Sequence, residues 1–424
     1  MSRSAIRQIV CLWLAWAVVL SGYQTAVTAR YQVQKPDAAL PWTPALTSDQ
    51  LDQPYLKDPF MNAKVAWDSE FYLSIALHGY DDPQVRAVPP QPHAQPPYNR
   101  PLSLNYAFFP VYPDLMRVLA IPLGFLGLNA TATATLAGVL ISLLGSLAGM
   151  VALYELTQSD SRSDSPQTSA DHAAGLRSAF YLISFPTSFF LAQVYTEGLF
   201  IGLSFGCLAM LQRKQWIGAG ILAAIATLTR AVGVGLLIPL LWAWFQHHSA
   251  SDPEKPTRRA LLTPRYWLQT IALLSPLLVH LGWKASFQGG AFQIVQKSFF
   301  RCTMFSLAEA TSAWRQAFLS LFDNSAAAAY YAIEFAIILI GITSCLLTLK
   351  RHPAISIYGL LMITVSTTCG TAWSISRYLL AVPSIFLVLS RFGQSVLFDR
   401  VWTLISILFL AMLTALFSFN LWAG

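Results

Sequence analysis

Charged side chains are scarce in this sequence. Aspartate, glutamate, lysine and arginine together make up 11% of its 424 residues, 55% of the residues are hydrophobic, and the mean hydropathy is +0.51. Such a composition excludes a soluble enzyme. Apolar runs recur along the chain, and many of them approach the roughly 20 residues that are needed to cross a bilayer. We therefore predict an all-α polytopic membrane protein that folds as a single domain over residues 1–424.

The sequence also lacks an evident internal repeat and a paired cysteine motif. The missing repeat disfavours a transporter built from inverted repeats. The five cysteines are scattered and four of them lie in apolar runs, so neither a disulfide framework nor a zinc site is expected; Cys302 alone is predicted to lie in a loop. The formal net charge of +7 requires no nucleic acid, because the basic residues cluster in short loops between apolar runs.

Those basic loops predict how the chain crosses the membrane. Arg3 and Arg7 precede the first apolar run, which indicates a cytoplasmic N-terminus; the alternative is a signal peptide cleaved near residue 29. The apolar runs predict about eleven transmembrane helices, within a range of roughly 8–12. With this count every short basic loop, including 255–265 and 350–352, falls on the cytoplasmic side.

Two large loops are then extracytoplasmic. The first, 30–128, contains short amphipathic helices at the membrane interface, and the second covers 285–326. Within the first loop, 102–128 is apolar but interrupted by proline, so we expect an interfacial or re-entrant piece rather than a span. The proline-rich stretch 88–101 is predicted to be extended.

Polar chemistry is concentrated at 67–113. The stretch begins WDSEFYLSIALHGY (67–80), whose i, i+4 apolar spacing predicts a short amphipathic helix over 68–78 with Asp68 at or near its N-cap. A capping role and a catalytic role for Asp68 are both compatible with this spacing.

Three more charged residues, Glu197, Arg230 and Arg377, lie at predicted extracytoplasmic ends of apolar runs. Charges at membrane depth are costly and are usually paired or functional, although each arginine could instead anchor a helix end by snorkelling. The planar fork of arginine suits a phosphate, and an aspartate near an acceptor hydroxyl can act as general base. With Asp68, these residues fit glycosyl transfer from a lipid phosphate. No metal is required, because phosphate leaves readily once its charge is neutralised.

The same stretches carry a resemblance to a known family. Residues 67–80, followed by AFFPVYP at 107–113, resemble the signature of the PIG-V (GPI mannosyltransferase II) family, which are integral membrane glycosyltransferases of the GT-C type. Further similarities are FPTSFF (185–190), YTE (195–197), TRAVG (229–233) and SRY (376–378).

The resemblance implies a mannosyl or related hexosyl transferase that takes its sugar from a polyprenyl phosphate and inverts the anomeric carbon, with Asp68 as the catalytic residue. It implies no cofactor. The expected partners are the lipid-linked donor, a glycan or glycolipid acceptor and membrane lipids, and no nucleic acid. The length and plain N-terminus are more similar to a bacterial member, which implies the bacterial inner membrane; a eukaryotic member would lie in the ER membrane.

Substrate contacts are predicted for six further residues. Arg230 and Arg377, assisted by His78, are expected to bind the donor phosphate, and the other three are Glu197, Trp67 and Tyr80. Aromatic side chains can stack on sugars, but at a membrane interface they more often form the aromatic belt. Three alternatives stay open: a transporter or flippase of lipid-linked sugars, a glycan polymerase or ligase, and a non-enzymatic assembly factor.

Overall fold

The computed structural model describes residues 2–31, 58, 60–91, 95–158, 169–250, 264–303, 305–323 and 326–423. The basic loop predicted at 255–265 therefore lies almost entirely outside the described residues. The α-helices are α1 (Arg3–Arg30), α2 (Asp68–His78), α3 (Val111–Leu123), α4 (Ala130–Gln158), α5 (Ser169–Ser184), α6 (Glu197–Gln212), α7 (Trp216–Thr227), α8 (Leu237–Ala250), α9 (Pro264–Ala285), α10 (Phe287–Val295), α11 (Leu307–Ser320), α12 (Ala326–Thr348), α13 (Pro353–Thr367), α14 (Ile375–Tyr378), α15 (Pro383–Phe392) and α16 (Val396–Ser418). Strands β1 (Ala87–Val88) and β2 (Leu102–Ser103) form an antiparallel pair in which Ala87 faces Ser103.

The predicted all-α polytopic membrane fold is confirmed. Among the described residues, four helices are long and apolar enough to cross a membrane: α1, α4, α12 and α16. Two pairs bent by 80°, α9 with the segment 287–300 and residues 375–381 with α15, raise the number of spans to as many as six. The sequence predicted about eleven spans, which is more than the structure shows. Part of the difference comes from four apolar runs that form helices shorter than a membrane crossing requires. These are α6, α7, α13 and the segment 231–246.

The helix predicted at 68–78 is present as α2, but it is not amphipathic. Residues 69–76 are all buried. The helix is enclosed by α3, by α4 and by the short 3-10 helix 104–107. At the C-terminal end of α2, Arg117 of α3 donates to the carbonyl oxygens of Ile75 (2.6 Å) and Ala76 (3.0 Å). These bonds satisfy two carbonyl groups that have no partner within the helix, and they fix the C-terminal end of α2 against α3.

The segment 102–128 contains no helix of membrane-spanning length among its residues, as predicted. Its longest element is the 13-residue α3, which buries Tyr112 and Met116 and exposes Val118 (61%) and Ile121 (76%). One apolar face thus packs on the protein, and the other is free to lie in a membrane interface.

The second predicted loop, 285–326, is largely helical. It contains α10, a π-helical turn at 296–300 and α11. Phe300 at the end of the π turn packs edge-on against Phe71 of α2, with ring centroids 6.4 Å apart. The two large loops are therefore packed against each other.

Helix α4 lies at the centre of the fold and packs most extensively against α6. Glycines allow the two backbones to touch: a Cβ on Gly198 would lie 2.2 Å from the Ser142 carbonyl oxygen, and one on Gly202 would lie 2.5 Å from the Gly145 carbonyl oxygen. Small residues permit such close helix contacts in membranes. This contact fixes the first turn of α6, where Glu197 lies.

Candidate active site

Four charged residues from four separate segments meet in one cluster. The Arg377 Nη1 donates to the Asp68 Oδ2 at 3.0 Å, across 309 positions of sequence. The Arg377 Nε lies 3.1 Å from the Glu197 Oε1, and the Arg230 Nη1 donates to the same Glu197 oxygen. The structure thus brings together the four residues that the sequence singled out by charge at predicted helix ends. Two carboxylates and two guanidinium groups leave the cluster with no net charge.

Burial differs among the four side chains. Glu197 is 3% exposed, Arg377 7% and Arg230 16%, whereas Asp68 keeps 22% of its side-chain surface exposed. Charge pairs removed from water are screened little by salt, and each charge depends on its partner. Asp68 is therefore the most accessible member of a buried network.

The carboxylate of Asp68 does not cap its helix. Asp68 is the first residue of α2, Trp67 occupies the N-cap position, and no side chain makes a capping hydrogen bond there. The Asp68 backbone N–H donates instead to the Tyr195 hydroxyl at 3.2 Å, which in turn donates to the Ala66 carbonyl at 3.0 Å. The side chain of Asp68 is thereby left for Arg377.

Trp67 holds the turn that precedes Asp68. Its φ of +56° is uncommon for a residue with a side chain. Its indole Nε1 donates to the Leu421 carbonyl at 3.2 Å, and its ring packs edge-on against Trp422 at 5.3 Å. The residues that follow α16 thus help to position the start of α2.

Glu197 is placed by the start of α6. It is the first residue of that helix, where the macrodipole favours a negative charge. Beside it, the Thr196 hydroxyl accepts from the Arg230 Nη1 at 3.3 Å. Glu197 Oε2 is buried and has no hydrogen-bond partner among the described residues, so this acceptor is unused.

Aromatic rings enclose both guanidinium groups. The Tyr378 ring centroid lies 4.7 Å from the Arg230 Cζ and 5.0 Å from the Arg377 Cζ, and its hydroxyl accepts from the Arg377 Nη2 at 3.1 Å. Tyr195 and Phe190 lie over Arg377 at 5.2 and 5.3 Å. Such cation–π contacts restrict the arginine side chains and keep their forks aimed at the carboxylates.

Glu334 of α12 is a residue that the sequence interpretation missed. It is fully buried, and its two carboxylate oxygens accept from the Ser376 backbone N–H (2.8 Å) and hydroxyl (3.0 Å). The hydroxyl of Tyr330, one helical turn earlier, accepts from the Ser374 N–H at 2.8 Å. These bonds hold α14 and therefore Arg377. A lone carboxylate inside an apolar run was the available signal.

His78 and Tyr80 do not join the cluster. His78 is exposed at the opposite end of α2, about 15 Å from Asp68 at 1.5 Å per residue. The Tyr80 hydroxyl donates to the Phe108 carbonyl at 3.1 Å, and its ring stacks on Tyr106 at 5.1 Å. A helix places residues ten positions apart far from each other along its axis, which excludes a direct role for His78 at the arginines.

The cluster borders a small cavity of about 10 Å³ that is lined by Glu197, Arg230, Arg377 and Tyr378 among others. Such a volume holds about one water molecule. Within the described residues, no group of three or more His, Cys, Asp or Glu side chains is placed to hold a metal ion.

No protein-family model and no curated protein matches the sequence. Solved structures that resemble this fold include the Archaeoglobus fulgidus oligosaccharyltransferase in complex with Zn and sulfate (TM-score 0.40, 14% identity, 96% of this chain and 53% of that chain). Another is AglB from the same organism in complex with an inhibitory peptide and a dolichol-phosphate (TM-score 0.44, 15% identity, 97% and 56%). The chain spans little more than half the length of these proteins. The resemblance to the PIG-V family stays a prediction from the sequence motifs.

Proposed function

We propose that the protein is a membrane-embedded glycosyltransferase that moves a hexosyl unit, mannosyl by the motif resemblance, from a polyprenyl phosphate to a hydroxyl of a lipid-linked or surface glycan. The observation that carries the proposal is the cluster itself. One partly exposed carboxylate, Asp68, lies within hydrogen-bonding distance of a buried arginine that shares Glu197 with a second arginine.

Arg230 and Arg377 bind the donor phosphate in this proposal, and Glu197 keeps their forks in place. Asp68 is the easiest anion to displace, because it is the most exposed member and holds Arg377 through one hydrogen bond. A phosphate that replaces it gains charge-assisted bonds from a planar fork. The released carboxylate then has no ion-pair partner in the cluster and can accept a hydrogen bond from the acceptor hydroxyl. Donor binding thus prepares Asp68 to act as base.

The transfer step follows from this arrangement. The oxygen of the acceptor hydroxyl attacks the anomeric carbon, the bond from that carbon to the phosphate oxygen breaks, and the hydroxyl proton passes to the Asp68 carboxylate. The polyprenyl phosphate leaves with its charge neutralised by the two arginines. Attack from the face opposite the departing phosphate inverts the anomeric centre. All of these roles are filled by side chains of the cluster, without a metal step.

The position of the charges favours surface chemistry over transport. Asp68 and Glu197 are each the first residue of a helix, and Arg230 has an extended backbone between α7 and the short 3-10 helix 231–236. Of the four charged residues, Arg377 alone lies in a bent helix pair, 375–381 with α15. Transporter sites are formed near the bilayer midplane, usually between repeated halves of broken helices. By the positive-inside pattern, the end of the molecule that carries the charged cluster faces the extracytoplasmic side of a bacterial inner membrane, or the lumenal side of the ER membrane in a eukaryote.

The proposal is tested by a transfer assay in membranes. Membranes that contain the protein are supplied with radiolabelled polyprenyl-phosphate mannose and with extracted acceptors. We expect the label to move to the acceptor fraction, and a panel of other hexosyl donors then identifies the sugar. Movement of the labelled donor across the bilayer without transfer would favour the flippase, and transfer of long preassembled glycans would favour the polymerase or ligase.

A further inference from the structure

Two cysteines that are distant in sequence meet at the same end of the molecule as the charged cluster. Cys302 follows the π turn 296–300, as the sequence predicted for a loop cysteine. Cys369 was predicted inside an apolar span, but α13 ends at Thr367, and Gly370 has a φ of +100° that turns the chain away. Both residues therefore lie in connecting segments.

The main chains of the two segments are joined directly. The Thr303 N–H donates to the Cys369 carbonyl at 2.8 Å, and the Ser306 N–H donates to the Thr368 carbonyl at 3.0 Å. The two thiols lie close enough to interact, and the Cys369 Sγ also lies 3.3 Å from the Thr371 hydroxyl. A disulfide needs Cα atoms roughly 4.4–6.8 Å apart, and the main-chain hydrogen bonds hold the segments that carry the two cysteines in direct contact.

We propose that Cys302 and Cys369 form a disulfide bond in the mature protein. In the structure both are thiols. The predicted orientation places this end of the molecule outside the cytoplasm, where oxidising conditions allow disulfides to persist. The inference rests on that orientation and does not depend on glycosyl transfer.

The bond forms by exchange with the disulfide of an external thiol–disulfide oxidoreductase. Cys302 is the more exposed of the two, so its sulfur, on losing its proton, attacks one sulfur of the oxidant and releases the other as a thiolate. Cys369 then attacks the Cys302 sulfur of this mixed disulfide and expels the second sulfur of the oxidant. The two cysteines lose two electrons and two protons, and the oxidant becomes a dithiol.

Such a crosslink would join the two sides of the charged cluster. Phe300, two residues before Cys302, packs against Phe71 in the helix that begins with Asp68. Cys369 lies in the segment that leads to Arg377. A bond between them restrains the separation of Asp68 from Arg377.

The test counts thiols in the full-length protein. Intact cells are treated with N-ethylmaleimide to block free thiols, and the protein is then purified, denatured, treated again with the reagent and weighed. The five cysteines should give three alkylations before reduction and two more after it. Wild-type protein that accepts five alkylations before reduction would overturn the proposal, and this result needs no variant to fold.

Matched variants identify the pair. Cys302→Ser and Cys369→Ser each free one thiol, so each should show four alkylations before reduction and none after. The control Cys11→Ser, an exposed cysteine in α1, should show two before reduction and two after. Asp68→Asn should keep the wild-type pattern, which separates this proposal from the catalytic one. Retention of the reducible pair in Cys302→Ser would contradict the assigned partners.

Discussion

Two arginine–aspartate pairs in this molecule have similar geometry and different surroundings. Arg377 and Asp68 are 3.0 Å apart with 7% and 22% of their side chains exposed, whereas Arg100 and Asp81 are 3.2 Å apart with 47% and 56% exposed. Exposed pairs contribute about 0–1 kcal/mol to stability, but leaving a buried charge unpaired costs about 3–5 kcal/mol. Burial, and not contact distance, therefore decides which of the two pairs contributes substantially to stability.

The two pairs also differ in what they connect. Arg100 and Asp81 are 19 positions apart in one loop, while Arg377 and Asp68 are 309 positions apart and share Glu197 with a further arginine. A hydrophobic cluster would stabilise the same helix junction without the cost of desolvating four charges. Charged groups held in such a place are expected where chemistry uses them.

The largest difference between the two pairs is expected when the arginine of each is replaced by alanine. Arg377→Ala leaves the carboxylates of Asp68 and Glu197 without their shared partner, so it should lower the free energy of unfolding by about 3–5 kcal/mol and abolish transfer. Arg100→Ala should change stability by less than about 0.5 kcal/mol. Thermal unfolding in detergent and the membrane transfer assay measure both variants. Equal losses of stability and of transfer activity in the two variants would show that burial does not distinguish the two ion pairs.

A smaller effect is expected when the charge is kept and the fork is lost. Arg230→Lys and Arg377→Lys each replace a planar guanidinium by a single ammonium, and a lost charge-assisted hydrogen bond is worth about 1.5–3 kcal/mol. The KM for the lipid-phosphate donor should therefore rise by at least about tenfold. Arg100→Lys is the matched control and should leave KM unchanged. An unaltered donor KM in both cluster variants would remove the phosphate-binding role.

Glu70 is a buried acid with no cationic partner in the part of the chain that the structure describes. Its side chain is buried, its Oε2 has no hydrogen-bond partner among the described residues, and burial raises its pKa to about 8. Between its unfolded pKa of 4.5 and about 8 the folded protein holds a proton that the unfolded chain does not, so stability falls as pH rises. Glu70→Gln should recover on the order of 3 kcal/mol at pH 7 and nothing at pH 4.

Melting temperatures of wild type and Glu70→Gln across this pH range measure that gain. The curves should converge at low pH and separate as pH rises. Parallel curves would show that Glu70 is not protonated in the folded protein.

Local sequence patterns predicted much of the fold and part of the site. Composition gave the all-α membrane class, and the i, i+4 spacing gave the bounds of α2 correctly. Glu197, Arg230 and Arg377 were found because charge is rare at the ends of apolar runs, Asp68 was found in the polar stretch 67–113, and the structure brings the four together. These patterns reflect hydropathy and the free-energy cost of a charge at membrane depth, and both depend on local sequence alone.

The remaining features depend on packing between distant segments. Burial of α2 on all sides arises from its packing against α3, α4 and Phe300 of the second large loop, which its own spacing does not encode. His78 was predicted to assist the arginines, and the length of α2 separates it from them. Glu334 and the Cys302–Cys369 contact are set by where α12, α13 and the π turn meet.

The central claim is that Asp68 is the catalytic base, and a single-turnover transfer rate tests it most directly. Asparagine keeps the size of aspartate and can still accept a hydrogen bond from Arg377, so Asp68→Asn should insert, fold and bind the donor. At saturating donor and equal expression its rate should fall at least about a hundredfold, since a placed general base contributes about 10²–10⁴. Asp81→Asn, the control in the exposed pair, should stay within twofold of wild type. A rate for Asp68→Asn within a few-fold of wild type would contradict the mechanism.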